Sequence, residues 1–322
     1  MTVVVFGLDA LDHELVDPEQ HPALTLASHA SIETISSSAG EPSTHELWPT
    51  IITGLRPEEH GLVLEDGVAW DSPLLRTGST VADTVLPDGV QTRVGAWLLN
   101  NTEEDAFRMP ASYYAERGLS TLLDGEYRQA IGIPNYVVDG EKDREHQLRE
   151  EMGEMFKRDL DAKGGHDSAD PAAFYEQCLE MAMVRTARVR RGLRSRQYEL
   201  VFGYTSALDL IGHVGHDTPA LQQRAYDELD DFVGELADDL EEGDELVLVS
   251  DHGLQDGFHT DVGMIAATDP AVVDAVESVV DVRGAIESLL EDGEHRPESR
   301  QKRDRGLESE AVREQLEDLG YM

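Results

Sequence analysis

Apolar residues along this chain fall into two patterns. Val3 to Leu8, Tyr198 to Tyr204 and Leu246 to Val249 are nearly unbroken apolar runs, as expected of parallel strands buried on both faces. Ser31 to Ser36 and Thr92 to Leu98 read as further strands, and Asp261 to Ala266 as a continuation of the sheet. Helical spacing occupies Thr44 to Thr53, Thr77 to Leu86, Pro171 to about Arg194, Ala220 to Leu240, Ser278 to Leu290 and Ala311 to Leu319. Strands alternating with helices predict an α/β fold around a mostly parallel sheet. Between Asn100 and about Asp170 the periodicity weakens, and this stretch is expected to be a cap or insertion within a single domain covering 1–322. Its Tyr113, Tyr114 and Tyr136 are more economically read as packing than as a pocket lining.

The apolar runs end in chemistry. The first stops at Asp9, with Asp12 as a candidate helix cap, and the third stops at Asp251, His252 and Gly253. In open α/β sheets ligands collect at the carboxyl ends of strands, so these groups should share one edge. His259 follows His252 by seven residues, beyond Asp256 and Gly257. Past Tyr204, Asp209 and His213 are four apart, which on a helix points them the same way. Thr44 opens the helix before Gly54: it is either a simple N-cap or a hydroxyl presented at a helix start beside a cation. His60, in the turn that leaves this helix, is expected to bond within the turn and to pack beneath the site.

Composition narrows the partners. The 322 residues include 66 Asp and Glu against 26 Lys and Arg, a formal charge of -40. Such a surface repels nucleic acid and anionic lipid, and it suits a salt-rich cytoplasm in which self-repulsion is screened. The opening residues carry no signal-peptide pattern and no stretch of 18 apolar residues exists, so a halophile's cytoplasm is the expected location. The single cysteine, Cys178, lies at helical spacing among apolar residues and is expected to be a buried thiol. The arginines from Arg185 to Arg194 are expected to complement a helix dipole and to pair with surface acids.

Together Asp9, Thr44, Asp209, His213, Asp251, His252 and His259 form an oxygen and nitrogen donor set without thiolate, suited to zinc or manganese. Seven donors exceed the needs of one zinc and suit two divalent ions sharing a cleft. The order Gly7-Leu8-Asp9, Thr44 nine residues before Thr53, Leu55 to Gly61, Asp209 to His213, Ser250 to Gly253 and a later His259 resembles the alkaline phosphatase superfamily, in particular its type I phosphodiesterase/nucleotide pyrophosphatase branch. The resemblance runs almost from end to end. It implies a three-layer α/β/α sandwich and a small-molecule phosphate ester as substrate. It also implies one metal on Asp209, His213 and His259, another on Asp9, Asp251 and His252, and Thr44 as the nucleophile that becomes a phosphothreonine or a nucleotidyl-threonine.

Two features depart from the branch. Its members place an Asn a few residues after the His-Gly turn, where this chain has Glu65, a carboxylate that cannot donate to phosphate when ionised; Glu65 is the candidate substrate-contacting residue there. The interval from Asp251 to His259 is also short, leaving little room for large specificity loops. Phosphodiesters are the expected substrates, with a phosphomonoesterase or phosphonate hydrolase of the same fold as the alternatives. A non-catalytic metal-binding relic would require loss of a ligand or of the hydroxyl, and none is lost.

Overall fold

The computed structural model describes residues 1–37, 40–63, 109–138, 157–158, 166–168 and 170–293. Its strands are β1 (Val3–Leu8), β2 (Ser28–Glu33), β3 (Arg128–Ile131), β4 (Lys157–Arg158), β5 (His166–Asp167), β6 (Leu200–Thr205), β7 (Glu245–Val249), β8 (Gly253–Gln255), β9 (Phe258–Thr260) and β10 (Val262–Ala267). Its helices are α1 (Pro22–Thr25), α2 (Thr44–Thr53), α3 (Pro57–His60), α4 (Ser112–Glu116), α5 (Pro171–Ser195), α6 (Ala207–Gly215), α7 (Pro219–Ala237), α8 (Pro270–Asp274) and α9 (Val282–Asp292). The predicted elements at 77–86, 92–98 and 311–319 lie outside the described residues, as do Glu65 and most of the predicted cap.

Six strands form one sheet in the order β2-β10-β7-β1-β6-β3, with β10 antiparallel to both neighbours and β7, β1, β6 and β3 mutually parallel. β1 is central and wholly buried, and its side chains alternate between two cores. Val4, Phe6 and Leu8 face α5, α6 and α7; Val3 and Val5 face α2, α4, α8 and α9. This is the expected three-layer arrangement, and it accounts for the unbroken apolar runs, since every position has a helix layer above or below it.

Helix α2 turns Leu47, Trp48, Ile51 and Ile52 onto the sheet, the spacing of one helical face, and ends on Gly54 at φ +67°. Its seating needs Gly7: a Cβ there would lie 2.4 Å from the Trp48 ring. The glycine in the central strand thus lets the helix that carries Thr44 approach the strand that carries Asp9.

Several expectations shift. Asp12 caps a turn rather than a helix, accepting the Glu14 N–H at 2.9 Å, because the following residues do not begin a helix. β3, within the stretch 100–170, pairs with β6 and is an edge strand of the main sheet, so this portion is integral to the sheet. Arg185 is no surface cation: it is 2% exposed, and its Nη1 donates to the Tyr204 carbonyl. Arg190 and Arg194 do pair with acids, both reaching the largely covered Asp239, and Arg190 also pairs with the exposed Glu235. Cys178 is buried, and burial pushes its thiol far up. Among the described residues no helix is long and apolar enough to cross a membrane.

Candidate active site

Strand register brings the first two carboxylates together. Gly7 lies opposite Val249 in the parallel β1–β7 pair, so two residues further on Asp9 faces Asp251 at the carboxyl edge. Both are buried. On the other side of β1, Leu8 pairs with Thr205, and the chain leaving β6 enters α6 through Ser206, putting Asp209 and His213 on successive turns beside Asp9. The N-cap of α2 is Ser43 rather than Thr44, and its side chain makes no capping bond. Thr44, the first helical residue, points its hydroxyl at the carboxylate edge: Oγ1 lies 3.4 Å from Asp9 Oδ1 and 3.2 Å from His252 Nε2.

His259 arrives by a tight turn. Asp256 and Gly257 both have positive φ, +54° and +83°, the conformation of a two-residue hairpin, and β8 pairs with β9 so that His259 lies opposite Leu254. The pair Asp256 and Gly257 is therefore a fixed connection. It stacks the His259 ring on His252, with centroids 3.9 Å apart.

Each of the three imidazoles is oriented by a backbone carbonyl. His252 Nδ1 is 3.1 Å from the Gly253 oxygen, His213 Nδ1 is 3.1 Å from the Gly257 oxygen, and His259 Nδ1 is 2.8 Å from the Pro42 oxygen. A carbonyl only accepts, so each Nδ1 carries a proton and each Nε2 is turned into the site, where it can serve as a ligand once any proton on it is displaced. Histidine ligands to metals are commonly fixed in this way. His213 Nε2 and His259 Nε2 face each other at 3.0 Å, and Asp209 Oδ1 is 3.3 Å and 3.2 Å from them. Around His252 Nε2, Asp9 Oδ1 and Asp251 Oδ2 both lie at 3.4 Å. Tetrahedral ligands about 2.0–2.1 Å from a zinc ion are separated by about 3.3 Å. Both clusters are close to that edge length, and the 3.0 Å approach of His213 Nε2 to His259 Nε2 needs a positive charge between them, a proton or a metal cation. One ligand atom each from Asp9, Asp251 and His252, and likewise from Asp209, His252 and His259, also lie within 4.8 Å of one another.

The charges tell the same story. Burial, reinforced by Asp209, pushes the Asp251 carboxyl up to about 7, and among the described residues neither of its oxygens has a hydrogen-bond partner. Burial and the Asp251 charge likewise drive the Asp9 carboxyl well up. Burial opposes protonation of His259, but the Asp209 carboxylate outweighs it and raises the imidazole to about 9. Burial and its stacked neighbour His259 hold His252 down at about 4. The pocket is a desolvated cluster of carboxyl and imidazole groups that holds protons which a metal cation can displace. His60 is fully buried: its Nε2 is 3.1 Å from Thr50 Oγ1, tying the turn to α2, and its Nδ1 accepts the Leu62 N–H at 3.2 Å.

A model of the family described as type I phosphodiesterase/nucleotide pyrophosphatase matches residues 3–319. The chain belongs to that family. Type I phosphodiesterases and nucleotide pyrophosphatases are hydrolytic enzymes acting on phosphoesters, so the protein is an enzyme of this kind. No curated protein sequence matches it. Solved structures that superpose on this phosphodiesterase-family chain include a protein from Pyrococcus horikoshii, 10% identical over 91% of this chain and 98% of that one, with a TM-score of 0.47. The alkaline phosphatase of the Antarctic bacterium TAB5 is 12% identical over 90% of this chain and 97% of that one, TM-score 0.44. Phosphonoacetate hydrolase of Sinorhizobium meliloti is 14% identical over 79% and 56%, TM-score 0.40.

Three contributors escape sequence reasoning in this family member. The carbonyls of Pro42, Gly253 and Gly257 act through the main chain, which leaves no trace in residue type. Tyr204, visible only as the end of an apolar strand, donates its hydroxyl to Asp9 Oδ2; burial and the facing carboxylate push the phenol well up, so it keeps its proton. Asn135 reaches the site from a segment remote in sequence, and its contact is described below.

Proposed function

We propose that this chain is a phosphodiesterase dependent on two divalent ions, zinc or in its place manganese, with Thr44 as the nucleophile. The observation that carries the reading is the Thr44 hydroxyl at the start of a helix, within 3.4 Å of Asp9 and 3.2 Å of His252. Asp209, His213 and His259 would hold one ion, and Asp9, Asp251 and His252 the other, with Thr44 beside the second. When bound, the ions supply positive charge that lowers the pKa of the Thr44 hydroxyl and neutralises phosphate oxygens.

The chain's own groups do the rest. Thr44 Oγ1, having released its proton to solvent, forms a bond to phosphorus as the ester bond on the opposite side breaks, and the leaving oxygen departs with the electron pair and is protonated by water. The product is a phosphothreonine ester. Water then forms a bond to the same phosphorus, the Thr44 oxygen leaves, and a monoester is released with Thr44 restored. At the first position of α2, charge developing on the transferred group meets the positive end of the helix, and no capping side chain competes for it. Tyr204 holds Asp9 in place from behind through its hydroxyl.

The test is a comparison of bis(4-nitrophenyl) phosphate, 4-nitrophenyl phosphate and a phosphonate ester with zinc or manganese present. Preference for the diester by about tenfold or more in kcat/KM is expected. Preference for the monoester or the phosphonate moves the assignment to a sister activity of the fold, and rejection of all three by metal-loaded protein supports a non-catalytic relic.

We further place the protein in a salt-rich cytoplasm, on the strength of 66 acidic against 26 basic residues. Its melting temperature should then rise by about 5–10 °C between 0.2 M and 2 M KCl as self-repulsion is screened. A flat or falling melting curve over that range would remove the support for a halophilic setting.

A further inference from the structure

The geometry points to Asn135 as a positioning residue that sets the turn carrying Thr44. In an α-helix the carbonyl of His45 receives the N–H of residue 49. Residue 49 is Pro49, inside α2, and proline has no N–H to give. Asn135 supplies the donor instead: its Nδ2 lies 2.8 Å from the His45 oxygen, on the residue next to Thr44.

Asn135 is built for this task. It is 4% exposed and sits at φ +54°, a left-handed conformation that asparagine tolerates better than most residues. Its Oδ1 accepts the Met109 N–H at 3.3 Å, and its carbonyl accepts the Tyr114 hydroxyl at 2.8 Å. These partners fix the amide orientation, because a carbonyl must face the NH2 and an N–H must face the oxygen. The side chain therefore ties the 109–138 segment to the first turn of α2. Without it, the first turn loses the bond that Asn135 provides in place of the missing main-chain one, and Thr44 can drift from Asp9 and His252. Displacements near 1 Å of a reacting group cost about a hundredfold in rate.

The inference rests on Thr44 being the nucleophile, and its test separates the two. Asn135→Ala and Asn135→Asp are compared on bis(4-nitrophenyl) phosphate, with folding followed by circular dichroism and metal content by elemental analysis. Asn135→Asp keeps the left-handed tolerance and the acceptor for Met109 but loses the donor to His45, so it remains informative if the alanine variant does not fold. Both should lower kcat by about 10- to 100-fold, with KM within about twofold and metal retained. Pro49→Ala restores an N–H at the i+4 position. Combined with Asn135→Ala it should return kcat to within about threefold of Pro49→Ala alone, a recovery that loss of packing around residue 135 would not give. Wild-type kcat in folded Asn135→Asp, or a loss in Asn135→Ala that Pro49→Ala leaves unrepaired, overturns the inference. Thr44→Ala run alongside distinguishes the two levels: an active Thr44→Ala removes the nucleophile, whereas an inactive Thr44→Ala with unimpaired Asn135 variants removes only the positioning role.

Discussion

Thr44→Ala should lower kcat for a phosphodiester by about a thousandfold or more while the protein keeps its metal. The two ligand clusters do not require the hydroxyl: three donors on one side and three on the other remain, with the same 3.0–3.4 Å spacings. What disappears is the one oxygen at the helix start that is in reach of both Asp9 and His252. Thr44→Ser should recover a measurable fraction of the rate, because the hydroxyl returns without its methyl brace. Acid quenching during turnover, followed by peptide mass spectrometry, should find the phosphoryl group with its one remaining ester substituent on the peptide containing Thr44 in the wild type and not in the alanine variant. A near-normal rate in Thr44→Ala would end the covalent route, whatever its metal content.

The second large effect is the pH dependence of metal loading. Without a cation, Asp251 holds its proton up to about 7 and His259 up to about 9. A metal must displace those protons. Affinity of the Asp251 cluster should therefore fall about tenfold per pH unit below about 7, and that of the His259 cluster should do so already below about 9. Stability follows with a definite sign. Both groups have folded-state pKa values above their unfolded ones, so each favours the metal-free fold at low pH and loses that contribution as pH rises, Asp251 through about 7 and His259 through about 9. Bound cations reverse this. The rise in melting temperature on adding zinc should accordingly be larger at pH 8.5 than at pH 6, as read by calorimetry at matched salt. A gain independent of pH would show that these groups are not the ligands.

The sheet was legible because burial on both faces writes itself as uninterrupted valine, leucine and phenylalanine, as in β1, β6 and β7. The edges were less so. β2 lies at Ser28–Glu33 rather than 31–36, and its Ser-His-Ala-Ser-Ile-Glu sequence carries little apolar signal to set the boundary. β3, Arg-Gln-Ala-Ile, is short and mostly half-buried, and an edge strand needs no apolar run. Asp9, Asp251 and His252 stand out in the sequence as candidates because carboxylates and imidazoles at the tips of buried strands conflict with their surroundings unless they bind something, and the fold brings them together. Arg185 and Asn135 do not, because an arginine in a run of arginines reads as surface and an asparagine in an irregular segment reads as a turn. Only the fold shows that each is buried against a specific carbonyl.

One hairpin governs both halves of the centre. His252 precedes β8, Gly257 at its turn anchors His213, and His259 sits on β9, so three imidazoles from the two clusters take their aim from a single main-chain ribbon. Transplanting the centre to another scaffold would thus be a matter of grafting that ribbon at fixed length. Residue types along it could be varied outside the ligands, Gly253 and the positive-φ pair Asp256 and Gly257, whereas inserting even one amino acid would misdirect both clusters together.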